Sequence, residues 1–69
     1  NPTSDALVVR TGVTGNVDFV LTDATGRSVR SGRFTGSTTV DVRGLNSGRY
    51  HLTLQQPAGV RTWAVQVVR

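Results

Sequence analysis

The stretch VDFVLTDATGRSV, residues 17–29, holds the clearest structural pattern in the chain. In its first part Val17, Phe19 and Leu21 lie at every second position, and the polar Asp18 and Thr22 lie at the positions in between or after them. Alternation with a period of two predicts a β-strand that buries one face. The next four residues, 23–26, read Asp-Ala-Thr-Gly and match a type I turn, which favours Asp at its first position and Gly at its fourth. The stretch therefore predicts a strand that ends in a tight turn.

The same alternation recurs in other parts of the chain and predicts an all-β fold. It is found in residues 7–9, 40–42, 50–54 and 63–67. Turn residues separate these segments at intervals of about 8–12 residues, a spacing typical of antiparallel sandwiches. We therefore predict a small antiparallel immunoglobulin-like β-sandwich of about six to seven short strands, without a helix longer than one turn. Ser31 and Gly32 interrupt one segment, and we expect a β-bulge there.

The composition supports this fold and excludes several classes of site. The 69 residues fit a single domain, and 12 Val and 10 Thr favour a pleated sheet over a helix. The chain has no Cys, no Met and no Glu, and it has a single His. These absences exclude disulfides, thiolate metal sites, Cys nucleophiles and paired Glu catalysis. No apolar run approaches the roughly 20 residues that span a membrane as a helix, so we predict no direct membrane insertion.

The sequence contains no pattern of a catalytic or cofactor site. The only imidazole, His51, lies between Tyr50 and Leu52 in the sequence and therefore on the opposite face of the predicted strand, where it is expected to be exposed. Neither a Gly-x-Ser-x-Gly elbow nor a phosphate-binding loop is present. We therefore predict a protein that is not an enzyme and that binds no cofactor and no metal. Nucleic-acid binding is disfavoured as well, because no recognition helix is predicted and the basic residues are not interleaved with aromatic ones.

Eight arginines against four aspartates give the chain a net charge of +4. Two interpretations stay open. Arginines on edge strands discourage edge-to-edge aggregation. Alternatively, they form a basic surface for carboxylate or phosphate groups of a partner. The arginines are Arg10, Arg27, Arg30, Arg33, Arg43, Arg49, Arg61 and Arg69.

Two short motifs have a structural interpretation. Asp23 is expected to accept hydrogen bonds from the backbone of its turn, where Gly26 adopts a positive φ. Display of a docking surface by this turn is the alternative. Leu45, Gly48 and Tyr50 are expected to form a tyrosine corner, with the ring buried and its hydroxyl bonded to nearby backbone.

The order of these motifs resembles a known family. The residues that carry the resemblance are Asn1, Pro2, Asp23, Gly26, Arg27, Leu45, Gly48 and Tyr50, followed by a closing strand at residues 63–69. Together they resemble the C-terminal sorting domain of the type IX secretion system of Bacteroidota, over essentially the whole chain. The usual Lys-rich closing strand is replaced here by one whose only cation is Arg.

The resemblance implies a non-catalytic secretion signal that spans residues 1–69, with Asn1 to Ser4 as the end of a linker from an upstream cargo domain. It implies a route through the periplasm to the cell surface or the medium. Its implied partners are the outer-membrane translocon and a sortase-like cysteine peptidase that removes the domain as the cargo is attached to the surface. The alternative is a carbohydrate-binding or fibronectin-like spacer module of an extracellular multidomain enzyme.

We expect the closing strand to carry recognition by the translocon. A strand at the edge of a sheet can add to a partner's sheet through main-chain hydrogen bonds. The residues concerned are Val65, Gln66, Val67, Val68 and Arg69. Pairing of edges into a homodimer stays open. Trp63 lies two and four residues before Val65 and Val67 and therefore on the same face of the predicted strand, which places its ring in the core or at its rim. A ring that stacks on sugars is the alternative.

Overall fold

The computed structural model describes residues 2–3, 5–12, 14–57 and 59–68. All of its regular elements are strands, which confirms the predicted all-β fold. They are β1 (Pro2–Thr3), β2 (Ala6–Arg10), β3 (Asn16–Thr22), β4 (Ser28–Thr35), β5 (Ser37–Asp41), β6 (Gly48–Gln56) and β7 (Gly59–Val67). Within these ranges no apolar helix reaches membrane-spanning length.

The strands form a five-stranded sheet in the order β1-β7-β6-β3-β4 and a two-stranded sheet of β2 and β5. The pairs are antiparallel, as predicted, except that β1 runs parallel to β7. Pro2 and Thr3, the expected end of a linker, pair with Gln66 and Val67 in this way. Between β4 and β5 the chain passes to the smaller sheet through Gly36, whose φ of +78° suits glycine.

The core lies between the sheets and consists of the apolar residues that alternate along the strands. Leu21, Leu54, Val17, Val42 and Val67 are the largest fully buried side chains. Phe19 and Leu7, predicted on the same faces, pack against this cluster and are partly buried. Burial of one such aliphatic side chain stabilises the fold by about 1.5–3 kcal/mol.

The β-bulge predicted at Ser31 and Gly32 is wrong. Strand β4 continues through both residues, and Gly32 pairs in register with Phe19. The register shift in this pair of strands lies between Leu21 and Thr22 instead. Gly32 serves to make space, because a Cβ at this position would lie 2.8 Å from Cε1 of the Phe19 ring.

Candidate recognition surface

The strand registers bring the motif segments to one end of the larger sheet. The last residue of β3, Thr22, pairs with His51, so the turn at residues 23–27 lies beside the start of β6. The first residue of β6, Gly48, pairs with Val67 at the end of β7, and β1 joins β7 at the same place. We call this region the motif end; it consists of β1 and residues 23–27, 42–50 and 66–68.

The turn at the motif end is organised by the carboxylate of Asp23. Its Oδ1 accepts hydrogen bonds from the backbone N–H of Thr25 and of Arg27, each at 3.0 Å, and from the Thr25 hydroxyl at 2.6 Å. The Gly26 N–H donates to the Asp23 carbonyl at 3.0 Å, and Gly26 has a φ of +89°. These contacts confirm the predicted turn. The Thr25 hydroxyl, followed by the Arg27 N–H, lowers the pKa of Asp23 below 3.8 because both stabilise its charged form.

The predicted tyrosine corner anchors the loop between β5 and β6. The Tyr50 ring is buried, and its hydroxyl donates to the Asn46 carbonyl at 2.8 Å. Leu45 packs partly buried against the core, and its N–H donates to the Val42 carbonyl at 3.2 Å. Gly48 then begins β6. The loop is therefore held at both of its ends.

Arg30 joins the two sheets, a role that the sequence did not indicate. From β4 its guanidinium donates to the carbonyls of Asp41 and Arg43, at 2.9 and 3.1 Å, beside a bond to the Val29 carbonyl at 2.8 Å. The Arg43 side chain pairs with the Asp41 carboxylate at 3.1 Å and lowers its pKa. No local signal can reveal Arg30, because its acceptors are main-chain groups 11 and 13 residues away.

The arginines divide into two groups. Arg27, Arg33 and Arg43 form ion pairs with Asp23, Asp18 and Asp41, respectively. Within the part of the chain that the structure describes, the arginines outside ion pairs, apart from Arg30, are Arg10, Arg49 and Arg61. Of these, only Arg49 belongs to the motif end. A cation without an ion pair can bind an anionic group of a partner without first giving up a carboxylate, so these three arginines are the most readily available to a partner.

The closing strand has a buried and an exposed side. Val65 and Val67 lie in the core, whereas Gln66 is exposed and 46% of Val68 is exposed. Strand β1 pairs with β7 at residues 66–67, so its backbone edge is covered there. Asn1 and Arg69, also among the predicted site residues, lie outside the described residues. The exposed side chains of Gln66 and Val68 are thus what this strand presents at the motif end.

Trp63 lies at the rim of the core rather than inside it. Its side chain is 44% exposed and borders an open groove of about 310 Å³ between β2 and β7. His51 is exposed, as predicted. In the described ranges no three His, Cys, Asp or Glu residues come together as a metal site would require. The arrangement is suited to binding through surface groups.

The chain matches a known protein family. A family model described as the secretion system C-terminal sorting domain matches residues 1–67. No curated protein and no solved structure matches the chain. The matched region contains the turn at residues 23–27, the tyrosine corner and the closing strand through Val67. It confirms the resemblance that the order of the motifs indicates.

Proposed function

This chain belongs to the family of type IX secretion C-terminal sorting domains, and on that premise we propose that it directs an upstream cargo protein across the outer membrane as a folded, non-catalytic signal. The family match over residues 1–67 carries the proposal. The meeting of the motif segments at one end of the sandwich supports it, because a folded signal needs its recognised groups on one surface.

The proposed route leads from the periplasm to the cell surface or the medium. The outer-membrane translocon binds the domain, and a sortase-like cysteine peptidase then removes it and attaches the cargo to the surface. We place the cleavage in the linker near or before Asn1. Cleavage inside the sandwich is disfavoured, because the strands on both sides of each short turn are held in paired sheets.

We propose that the translocon contacts the motif end together with the rest of the closing strand, from Val65 to Arg69. Val65 and Val67 hold the strand in the core, and the exposed Gln66 and Val68 are available to a partner. Because β1 covers the backbone edge at residues 66–67, recognition here uses side chains in preference to strand addition.

The second candidate function, a carbohydrate-binding or spacer module, is favoured by one observation. Trp63 is 44% exposed, as a ring that stacks on sugars would be. The other aromatic rings do not extend this surface, since Phe34 and Tyr50 are buried and Phe19 is partly buried. Retention of the domain on a polysaccharide column, lost in Trp63→Ala, would support this function.

A reporter fusion tests the sorting function. Residues 1–69 are fused to the C terminus of a fluorescent protein that is delivered to the periplasm of a host with a type IX system. We expect fluorescence on the surface or in the medium with the domain, and in the periplasm without it or in a host that lacks the translocon. Periplasmic retention of the complete fusion, or equal export of the bare reporter, would contradict the proposal.

A further inference from the structure

A groove of about 310 Å³, lined mainly by apolar residues, follows the edges of β2 and β7. Its floor contains Leu52 and Leu54, and its walls are residues 7–10 of β2 and residues 63–65 of β7. Consecutive side chains of a strand point to opposite faces. A groove lined by consecutive residues of both strands therefore runs along their edges, where backbone groups as well as side chains are within reach.

Both edges are open to an additional strand along the groove. Among the described residues, residues 7–10 of β2 pair only with β5, and the outer edge of β7 pairs only with β1 at residues 66–67. Open edges accept extended segments through main-chain hydrogen bonds. Two apolar side chains stand exposed at the groove, Val8 at 60% and Trp63 at 44%.

The charges around the groove indicate the chemistry of its occupant. Arg10 lines the groove, and Arg61 lies on the same side of β7 as Trp63, two residues away. Neither arginine forms an ion pair within the described part of the chain. No aspartate lines the groove. Guanidinium groups pair well with carboxylates, so the groove favours an acidic segment.

A second copy of the chain fits this groove poorly. Each copy carries a net charge of +4, and the groove that a second copy would enter contains Arg10 and no aspartate. Like charges brought together at an interface disfavour association.

We propose that the groove binds an extended acidic segment of a partner protein. The segment adds as a strand along β2, places apolar side chains over Leu52 and Leu54 and against Trp63, and sets its carboxylates beside Arg10 and Arg61. The partner's place in secretion rests on the proposed function, whereas the binding of the segment does not.

The binding can be measured with two synthetic peptides and the chain's single Trp. One peptide alternates Val and Thr between pairs of Asp, and the other has Lys in place of Asp. Trp63 is the only Trp, so its burial is read directly as a blue shift of the fluorescence. We expect a saturable shift with the Asp peptide. The Lys peptide should bind at least about tenfold more weakly, with the difference growing at low salt.

Matched variants locate the binding. Val8→Asp should weaken binding of the Asp peptide at least about tenfold, because it sets a like charge in the groove. Val60→Asp is the control, since Val60 is 62% exposed on β7 but does not line the groove; it should change the affinity less than about twofold. Replacing both Arg10 and Arg61 by Ser should weaken binding about fivefold.

Several outcomes would overturn the inference. These are no fluorescence shift, equal affinity for the two peptides, or equal effects of Val8→Asp and Val60→Asp. Sedimentation that shows a dimer broken by Val8→Asp would identify a second copy as the occupant, and a shift caused by a polysaccharide alone would identify a glycan. Export of the fusion without peptide binding would refute only the groove, and peptide binding without export would refute only the sorting function.

Discussion

At the scale of single residues, the absence of a side chain at Gly32 determines how the larger sheet packs. The Phe19 ring occupies the space beside this glycine in the neighbouring strand. The ring is partly buried against the core, so it cannot turn away freely into solvent. A feature that looks like a strand break in the sequence is therefore a packing requirement.

Gly32→Ala should destabilise the domain by about 1–3 kcal/mol, because the added Cβ would lie 2.8 Å from Cε1 of Phe19. The free energy of unfolding in urea, followed by circular dichroism, measures the effect. Gly12→Ala is the control, since a Cβ at Gly12 meets nothing within 4 Å, and it should change stability by less than about 0.5 kcal/mol. Equal stability of the two variants would refute this role for Gly32.

Asp23 makes a pH-dependent contribution to stability. Its pKa in the folded state is lowered below 3.8, so folding favours the charged carboxylate. This contribution is present above the unfolded pKa and is lost as the pH falls through the folded pKa. Unfolding free energy measured from pH 7 to pH 2 should therefore decline below about pH 4.

Asp23→Asn should be less stable than the native chain at pH 7 and should show a flatter decline below about pH 4. Asp5→Asn is the matched control, because within the described residues the Asp5 carboxylate forms neither an ion pair nor a side-chain hydrogen bond. An acid profile of Asp23→Asn that parallels the native one would show that the turn does not hold this carboxylate in its charged form.

At the scale of elements, the sequence predicts faces better than partners. Alternation identified the buried side of β6 through Tyr50, Leu52 and Leu54, because it depends only on the geometry of one strand. The parallel pairing of β1 could not be predicted, since two residues are too few to show a period. Trp63 lies on the face of β7 that carries the core residues and is nevertheless 44% exposed. The reason is that two strands cannot cover the whole face of a five-stranded sheet.

Arg30 connects the two sheets through hydrogen bonds to main-chain carbonyls, and stability measurements can test the contribution of these bonds. Arg30→Lys keeps the charge but loses the planar fork that reaches the carbonyls of both Asp41 and Arg43. We expect a loss of about 1–2 kcal/mol in unfolding free energy. Arg49→Lys, which alters an exposed arginine without an ion pair, should stay within about 0.5 kcal/mol. If Arg30→Lys left the free energy of unfolding unchanged, the sheets would be held together by the core alone.

At the scale of the whole molecule, folding brings together motifs that lie far apart in the chain. The turn at residues 23–27, the tyrosine corner and the closing strand are separate short patterns, and each is weak evidence of function by itself. Their shared position at the motif end follows from the registers of β3, β6 and β7. The order of these motifs can be read from the sequence. Their position on a common surface depends on the pairing of strands that are far apart in the chain, which the sequence alone does not show.

We propose that secretion depends on the surface of the motif end, and a pair of substitutions tests this claim, one within β7 and one at the residue after it. Val68→Asp changes an exposed residue at the motif end, and Val60→Asp changes one at the opposite end of the strand. Both side chains are exposed, so both variants should keep the native circular dichroism spectrum. In the reporter fusion, we predict that Val68→Asp lowers export at least about fivefold and that Val60→Asp exports normally. Normal export of a folded Val68→Asp fusion, or equal loss in both variants, would contradict the claim.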